Sequence, residues 1–219
     1  MARRTRAALT AALICTLLAG CGDDGGDTGA AGTPAPAATG EPWYDEITAA
    51  EAAGEAGGAG TPCPLPVTFP VPKSWKPKPV EAPDDETATE VFEALARRGG
   101  TTATCEVDGR RAGGGFLRVW IVDAPAAEPR AALEAFVAGT EDTVSDQQFR
   151  EVKAGGVDAV EATWVETSKL LEEDDRSWAL ALRAGDRTLV LAIGEGLLAE
   201  RTDVLPAYRL AVSGLRPNA

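Results

Sequence analysis

No histidine occurs anywhere in the 219 residues. That absence excludes His-based catalytic triads, imidazole metal sites and imidazole pH switches. Basic residues are also scarce, with 21 Lys and Arg against 34 Asp and Glu and a formal net charge of −13. Such a surface argues against binding nucleic acid or adsorbing to anionic lipid. Aromatic residues make up only 5% of the chain, including five Trp and two Tyr. No Gly-x-Ser-x-Gly and no Ser-x-x-Lys is present, so the common serine nucleophile motifs are missing. No cofactor motif appears, and no apolar run is long enough to span a bilayer core of ~30 Å as a helix.

The longest apolar run, Ala7 to Leu18, lies between Arg3, Arg4 and Arg6 and the tetrapeptide Leu18-Ala19-Gly20-Cys21. Basic, apolar and small-residue segments in that order are those of an export signal. The Leu-Ala-Gly-Cys end reads as a lipobox, with cleavage before Cys21 and a lipid on its thiol. A diacylglyceryl group carries two acyl chains, and each buried methylene adds about 0.8 kcal/mol, so the attachment is stable. Arg3-Arg4 leaves both general and twin-arginine export open. This places the protein on the extracytoplasmic face of the cytoplasmic membrane, anchored through Cys21.

The remaining cysteines divide by fate. Cys15 leaves with the signal, and Cys63 and Cys105 stay in the mature chain. An oxidising exterior favours a disulfide between them over a redox pair, because there is no Cys-x-x-Cys spacing.

Residues 22–60 carry eight acids and no base among Gly, Ala, Thr and Pro. This composition cannot bury enough apolar surface to fold and reads as a linker. As a flexible coil its span is roughly 35 Å. The expected organisation is a signal at 1–20, a lipidated Cys21 and acidic linker through 60, and one folded domain over 61–219. Trp43-Tyr44 interrupts the linker; it could be a docking spot or an interfacial anchor, and is expected rather to do nothing or to pack loosely on the domain.

Within the domain, Val67, Phe69 and Val71 alternate as a strand that Pro70 and Pro72 confine to an edge or an end. A second extended piece runs from Lys76 to Val80. A helix follows Pro83-Asp84-Asp85 and stops at Gly99-Gly100. Strands are expected at 101–107 and 116–122, the second nearly all apolar and therefore central. A helix with Pro129 in its first turn covers 128–137. Two hairpins turn at Ala154-Gly155-Gly156 and Gly185-Asp186, and a last helix covers 202–212. Hairpin-linked strands with interspersed helices predict an α+β fold, an antiparallel sheet flanked by helices.

Several segments suggest sites. Arg110-Arg111-Ala112-Gly113-Gly114-Gly115 lacks the Gly-Lys-Ser/Thr end of a phosphate loop and reads as a hairpin connection, although Arg110 and Arg111 could bind an anion or a partner. Glu172 to Asp175 lacks the spaced ligands of a calcium loop, so no metal is expected there. Glu161 and Glu166 fall at odd spacing on one strand and so face opposite sides of a sheet, which opposes acid–base pairing. Trp120, Trp164 and Trp178 sit in apolar strands and read as core. Trp75 follows a turn and is the candidate to line a cleft.

Cys63-Pro-Leu-Pro-Val-Thr-Phe, Val71-Pro72-Lys73-Ser74-Trp75, Gly115-Phe116-Leu117-Arg118-Val119-Trp120 and a closing helix with Leu215-Arg216 form a pattern over residues 63–216. This pattern resembles actinobacterial surface lipoproteins of the LpqN type. The resemblance implies a PsbP-like α/β/α sandwich and a non-enzymatic accessory role toward envelope proteins. It supplies no catalytic motif. The functional expectation is a monomeric, membrane-anchored binding module for another envelope protein. The alternatives are a binder of a small or apolar ligand in a cleft and, last, a His-independent hydrolase.

Overall fold

The computed structural model describes residues 40–194 and 200–218. The signal segment, Cys21 and the linker through residue 39 lie outside the described residues. The elements are β1 (Ala52–Ala56), β2 (Val67–Pro72), β3 (Lys76–Pro79), α1 (Glu86–Leu95), β4 (Arg97–Arg98), β5 (Thr101–Asp108), β6 (Phe116–Val122), α2 (Pro129–Ala138), β7 (Thr143–Ala154), β8 (Val157–Thr167), β9 (Asp174–Ala184), β10 (Arg187–Gly194), α3 (Arg201–Ser213) and β11 (Arg216–Pro217).

The large sheet has the order β3-β5-β6-β10-β9-β8-β7, with β4 also paired to β5, and every pairing is antiparallel. The alternation of β8, β9 and β10 sends side chains to both faces, and both faces are covered. On one face Val160, Ala162, Trp164, Ala179, Ala181 and Val190 meet Leu133, Phe136 and Val137 of α2. On the other face Trp178, Leu180, Leu182, Leu189 and Leu191 meet Leu205 and Tyr208 of α3. A small sheet, β1-β2-β11, adds Val67, Phe69 and Val71 to that second core. The fold is α+β with an antiparallel sheet between helical layers. As its apolar run predicts, β6 is interior.

Three local expectations need correction. First, β2 is the middle strand of its sheet and not an edge. The prolines are tolerated because β11 pairs only with Val67 and Thr68, while Pro70 and Pro72 lie where β1 is the sole neighbour. Second, Gly99-Gly100 does not itself end the helix. α1 finishes at Leu95, and the two glycines, both at positive φ, turn the short strand β4 back onto β5.

Third, the folded unit begins before Thr61. Trp43 is 7% exposed, its neighbour Tyr44 meets Trp178 edge-on with ring centres 5.9 Å apart, and Trp178 Nε1 donates to the Pro42 carbonyl at 3.0 Å. Ala50 donates its N–H to the Pro206 carbonyl, and β1 pairs along β2. Composition misleads here because a few groups dock the segment: one buried indole, one aromatic edge contact and a backbone ladder.

The β7–β8 turn places Gly155 at φ +54, with room for no side chain: a Cβ would stand 1.6 Å from the Leu215 carbonyl oxygen. Gly185, in the β9–β10 turn at φ +63, has nothing within 4 Å of such a Cβ. Gly155→Ala is therefore expected to lower stability by roughly 2–3 kcal/mol, and Gly185→Ala by about 1 kcal/mol from backbone strain alone. Urea denaturation of the two variants measures the difference, and equal losses would refute the steric account.

Candidate functional site

A cavity of about 300 Å³ opens on the α2 face of the large sheet. Period-two alternation along β6 brings Phe116, Arg118 and Trp120 to it together, and β8 adds Trp164 and Glu166. Phe136 enters from α2 and Arg98 from β4. Both guanidinium groups lie over aromatic rings. Arg98 is 4.4 Å from the Phe136 centroid and 5.7 Å from that of Trp164; Arg118 is 4.9 Å from Phe116 and 5.6 Å from Trp120.

Hydrogen bonding fixes part of this set. Arg98 donates from Nη2 to Glu166 Oε1 at 2.6 Å and from Nε to the Phe136 carbonyl at 2.8 Å. Trp164 Nε1 donates to the same Glu166 oxygen at 3.0 Å. Arg118 donates from Nη2 to Glu106 Oε2 at 2.5 Å. Two donors of this set have no partner among the described residues, Arg118 Nε and Trp120 Nε1, and Trp120 is 6% exposed. A buried donor without an acceptor costs about 1–3 kcal/mol and calls for an explanation.

Beside the cavity, Glu106 accepts from three cations: Lys78 at 3.0 Å, Arg110 at 2.7 Å and Arg118. Asp108 pairs with Arg110 at 2.9 Å and with Lys78 at 3.5 Å. Burial pushes the Glu106 carboxyl up, but Arg118 and Lys78 outweigh it and hold the group below its ordinary value. Arg110 holds Asp108 well below the usual carboxylate range. Three cations face two carboxylates, so a locally positive edge stands on an acidic protein.

A second buried charge network lies on the opposite face. Glu161, 2% exposed, accepts from Arg150 Nε at 2.8 Å and Nη2 at 2.6 Å, and from Arg209 Nη1 at 2.7 Å. Arg150 also grips Asp45 through two bonds of 2.6 Å, and Arg209 Nη2 donates to the Trp43 carbonyl at 2.6 Å. Arg150 lies 4.1 Å from the Trp43 ring centre. The Arg150 hydrogen bonds hold Asp45 below its ordinary value. Burial raises the Tyr208 hydroxyl well above its ordinary value, helped by the charge of Glu161 beside it. This network fastens the segment that leads in from the linker to β7, β8 and α3.

The sequence candidates fall elsewhere. Trp75 lies over two glycines of the β5–β6 connection: a Cβ on Gly109 would sit 2.2 Å, and one on Gly114 2.8 Å, from its ring. Arg110 and Arg111 occupy the short 3-10 turn of that connection, and both are exposed. The structure thus brings Trp75 beside the Arg110–Gly115 turn. Neither Trp75 nor the two arginines line the cavity, although Arg110 reaches toward its wall at Phe116, 5.2 Å from the ring centre. Glu161 and Glu166 do face opposite sides, each engaged by arginine. The cavity aromatics Trp120 and Trp164 read as core in the sequence. The missed signal is Arg118, a charge placed between Phe116 and Trp120 on one face of an apolar strand. Cys63 and Cys105 form a disulfide with Cα atoms 5.7 Å apart.

At the far end of β8, Ser168 Oγ accepts the N–H groups of Leu170 and Leu171 at 3.3 and 3.2 Å, and the Glu172 N–H bonds the Ser168 carbonyl. The turn holds Leu170 88% and Leu171 65% exposed.

A family model described as "Uncharacterised lipoprotein" (Lipoprotein_23) matches residues 33–215. The chain belongs to this lipoprotein family. The match starts within the acidic segment, in keeping with the docked Trp43 and β1. A search of curated proteins finds no match to the chain. Membership makes the lipoprotein a lipid-anchored protein of a membrane surface, and no described helix is long and apolar enough to cross a membrane.

The lipoprotein's acid response follows from its paired carboxylates. Asp45, Glu106 and Asp108 titrate lower when folded than their ordinary values of 3.8, 4.5 and 3.8. Below those values the unfolded chain takes up protons that the folded chain does not, so stability is full above about pH 5 and falls as pH drops. With no imidazole to titrate, the urea midpoint is expected to stay flat from pH 5.5 to 8 and to decline below about pH 4.5. A midpoint that rises on acidification to pH 4 would overturn this.

Proposed function

We propose that this lipoprotein is a non-enzymatic, monomeric binding module, anchored through Cys21 on the extracytoplasmic face of the cytoplasmic membrane and accessory to another cell-envelope protein. The LpqN-type kinship and PsbP-like architecture belong to this same reading. The observation that carries it is the Leu170–Leu171 turn. Single exposed apolar residues are ordinary, but two adjacent leucines fixed outward by Ser168 and followed by the acids Glu172 to Asp175 make an apolar anchor with a charged rim. A hydrolase would need a carboxylate positioned to exchange protons with substrate. Glu161 and Glu166 instead serve arginines on opposite faces of the sheet. A second reading, a binder of a small or apolar ligand, is favoured by the cavity at Trp120.

The test is photocrosslinking in native membranes from a probe beside Leu170, with Cys21→Ala as the soluble control and Leu170→Ser/Leu171→Ser as the disrupted form. One dominant envelope protein should crosslink to both the anchored and soluble forms, and the double serine variant should lose it at least about fivefold, the scale of roughly 1 kcal/mol at an interface. Crosslinking that survives the serine substitutions would remove this turn from the interface. Recovery of lipid alone would remove the protein-partner reading.

A further inference from the structure

We infer that the cavity between β6, β8 and α2 is a binding site for a small carboxylate with a flat apolar body. The size of the space, its walls, its donors and its field agree on this class. About 300 Å³ is the volume of on the order of ten non-hydrogen atoms, judged from water's share of roughly 30 Å³. Phe116, Trp120, Phe136 and Trp164 offer ring surface for a planar group. Of the six buried side-chain polar atoms without a partner among the described residues, two, Trp120 Nε1 and Arg118 Nε, belong to residues lining this cavity.

Both donors are closed to solvent in this structure, so an acceptor oxygen in the cavity reaches them once the Trp120 and Arg118 side chains shift toward it, and an anionic acceptor suits the surroundings. Glu166 already carries the Arg98 charge. Across the rim, Lys78, Arg110 and Arg118 share only Glu106 and Asp108, which leaves one positive charge in excess. A neutral ligand would leave that charge unanswered, and a cation would meet it unfavourably. The carboxylate would lie against the Trp120 and Arg118 donors, with the flat body among the rings. This inference rests on the ligand-binding reading and is independent of the protein partner at Leu170–Leu171.

The test is calorimetric titration of the soluble Cys21→Ala protein with 3-phenylpropanoate, its amide and 3-phenylpropylamine. The carboxylate should bind saturably, at least tenfold more tightly than the amide, and the amine should not bind. Trp120→Phe keeps a ring but removes the donor, and should weaken the carboxylate about fivefold or more. Arg118→Met leaves Glu106 to Lys78 and Arg110, and should bring carboxylate and amide to equal affinity. Trp75→Phe, outside the cavity, should change neither, and circular dichroism confirms that each variant is folded. No saturation by about 10 mM carboxylate, a limit far weaker than useful recognition, would overturn the proposal. So would equal binding of the amine, or binding indifferent to both cavity variants. Crosslinking at Leu170 is unaffected by any of these outcomes, so the two readings fail separately.

Discussion

Glu161→Ala is expected to cost about 3–5 kcal/mol, a large share of the stability of a domain this size. The reason is asymmetric. The carboxylate is almost wholly buried, and its two oxygens accept three hydrogen bonds from Arg150 and Arg209. Removing it leaves two guanidinium groups in a poorly solvated position with Asp45 alone to answer them. Repulsion between Arg150 and Arg209 then adds to the lost bonds. Glu161→Gln keeps an acceptor and the volume but not the charge, so its loss should be smaller. Urea denaturation of the soluble Cys21→Ala form, followed by tryptophan fluorescence, measures both. A loss under 1 kcal/mol for Glu161→Ala would show that the arginines find water or other partners and that the network is peripheral.

The same substitution has a second expected signature. The segment from Trp43 to Asp45 is held by Arg150 and Arg209, whose orientation Glu161 sets. Loosening them should raise protease cleavage around residues 40–51 before global unfolding, because local release costs less than unfolding the sheet. The consequence for the anchored protein is reach. On the proposed Cys21 anchor, releasing this segment lengthens the tether by the residues that docking holds to the domain.

How much of this was legible in the sequence depends on the range of the forces involved. Strands β5 to β10, the two turns at Gly155 and Gly185 and the helix begun by Pro129 are written locally, in alternation, turn chemistry and capping, and the structure has all of them. Trp178, Leu180 and Leu182 share a face because a strand's period is two, and that needs no tertiary knowledge. What escaped is set by contacts more than a hundred residues apart. Trp43 looks stranded in a polar tether until Arg150, Trp178 and Arg209 are brought to it. The cavity escaped for a related reason. Trp120 and Trp164 do pack as core residues, and only the pairing of β6 with β10, of β10 with β9 and of β9 with β8 decides that their rings also border a space. Trp75 reads as a cleft residue because nothing in its own segment covers it; the glycines that admit its ring arrive from the β5–β6 connection.

The second large effect should come from the disulfide. Replacing Cys63 and Cys105 together by alanine is expected to remove about 4 kcal/mol, the chain-entropy value for a closed loop of some forty residues, here a sequence separation of 42. Both cysteines are buried in the core between the large sheet and α3. Cys63 lies just before β2 of the small sheet, and Cys105 lies on β5 of the large one, so the bridge joins two sheets that share no strand pairing. The closed loop contains β2, β3, α1 and β4, including the two proline-bearing strands that make few backbone bonds of their own. Loss of the bridge should therefore be felt first in that region. Hydrogen exchange should rise in β2 and β3 well before it rises in β8 and β9, which are paired on both sides. If the double variant loses stability with exchange raised uniformly, the bridge acts only through the unfolded chain. If it loses less than 1 kcal/mol, the small sheet is held by its apolar contacts to α3, and the bridge is dispensable to the fold.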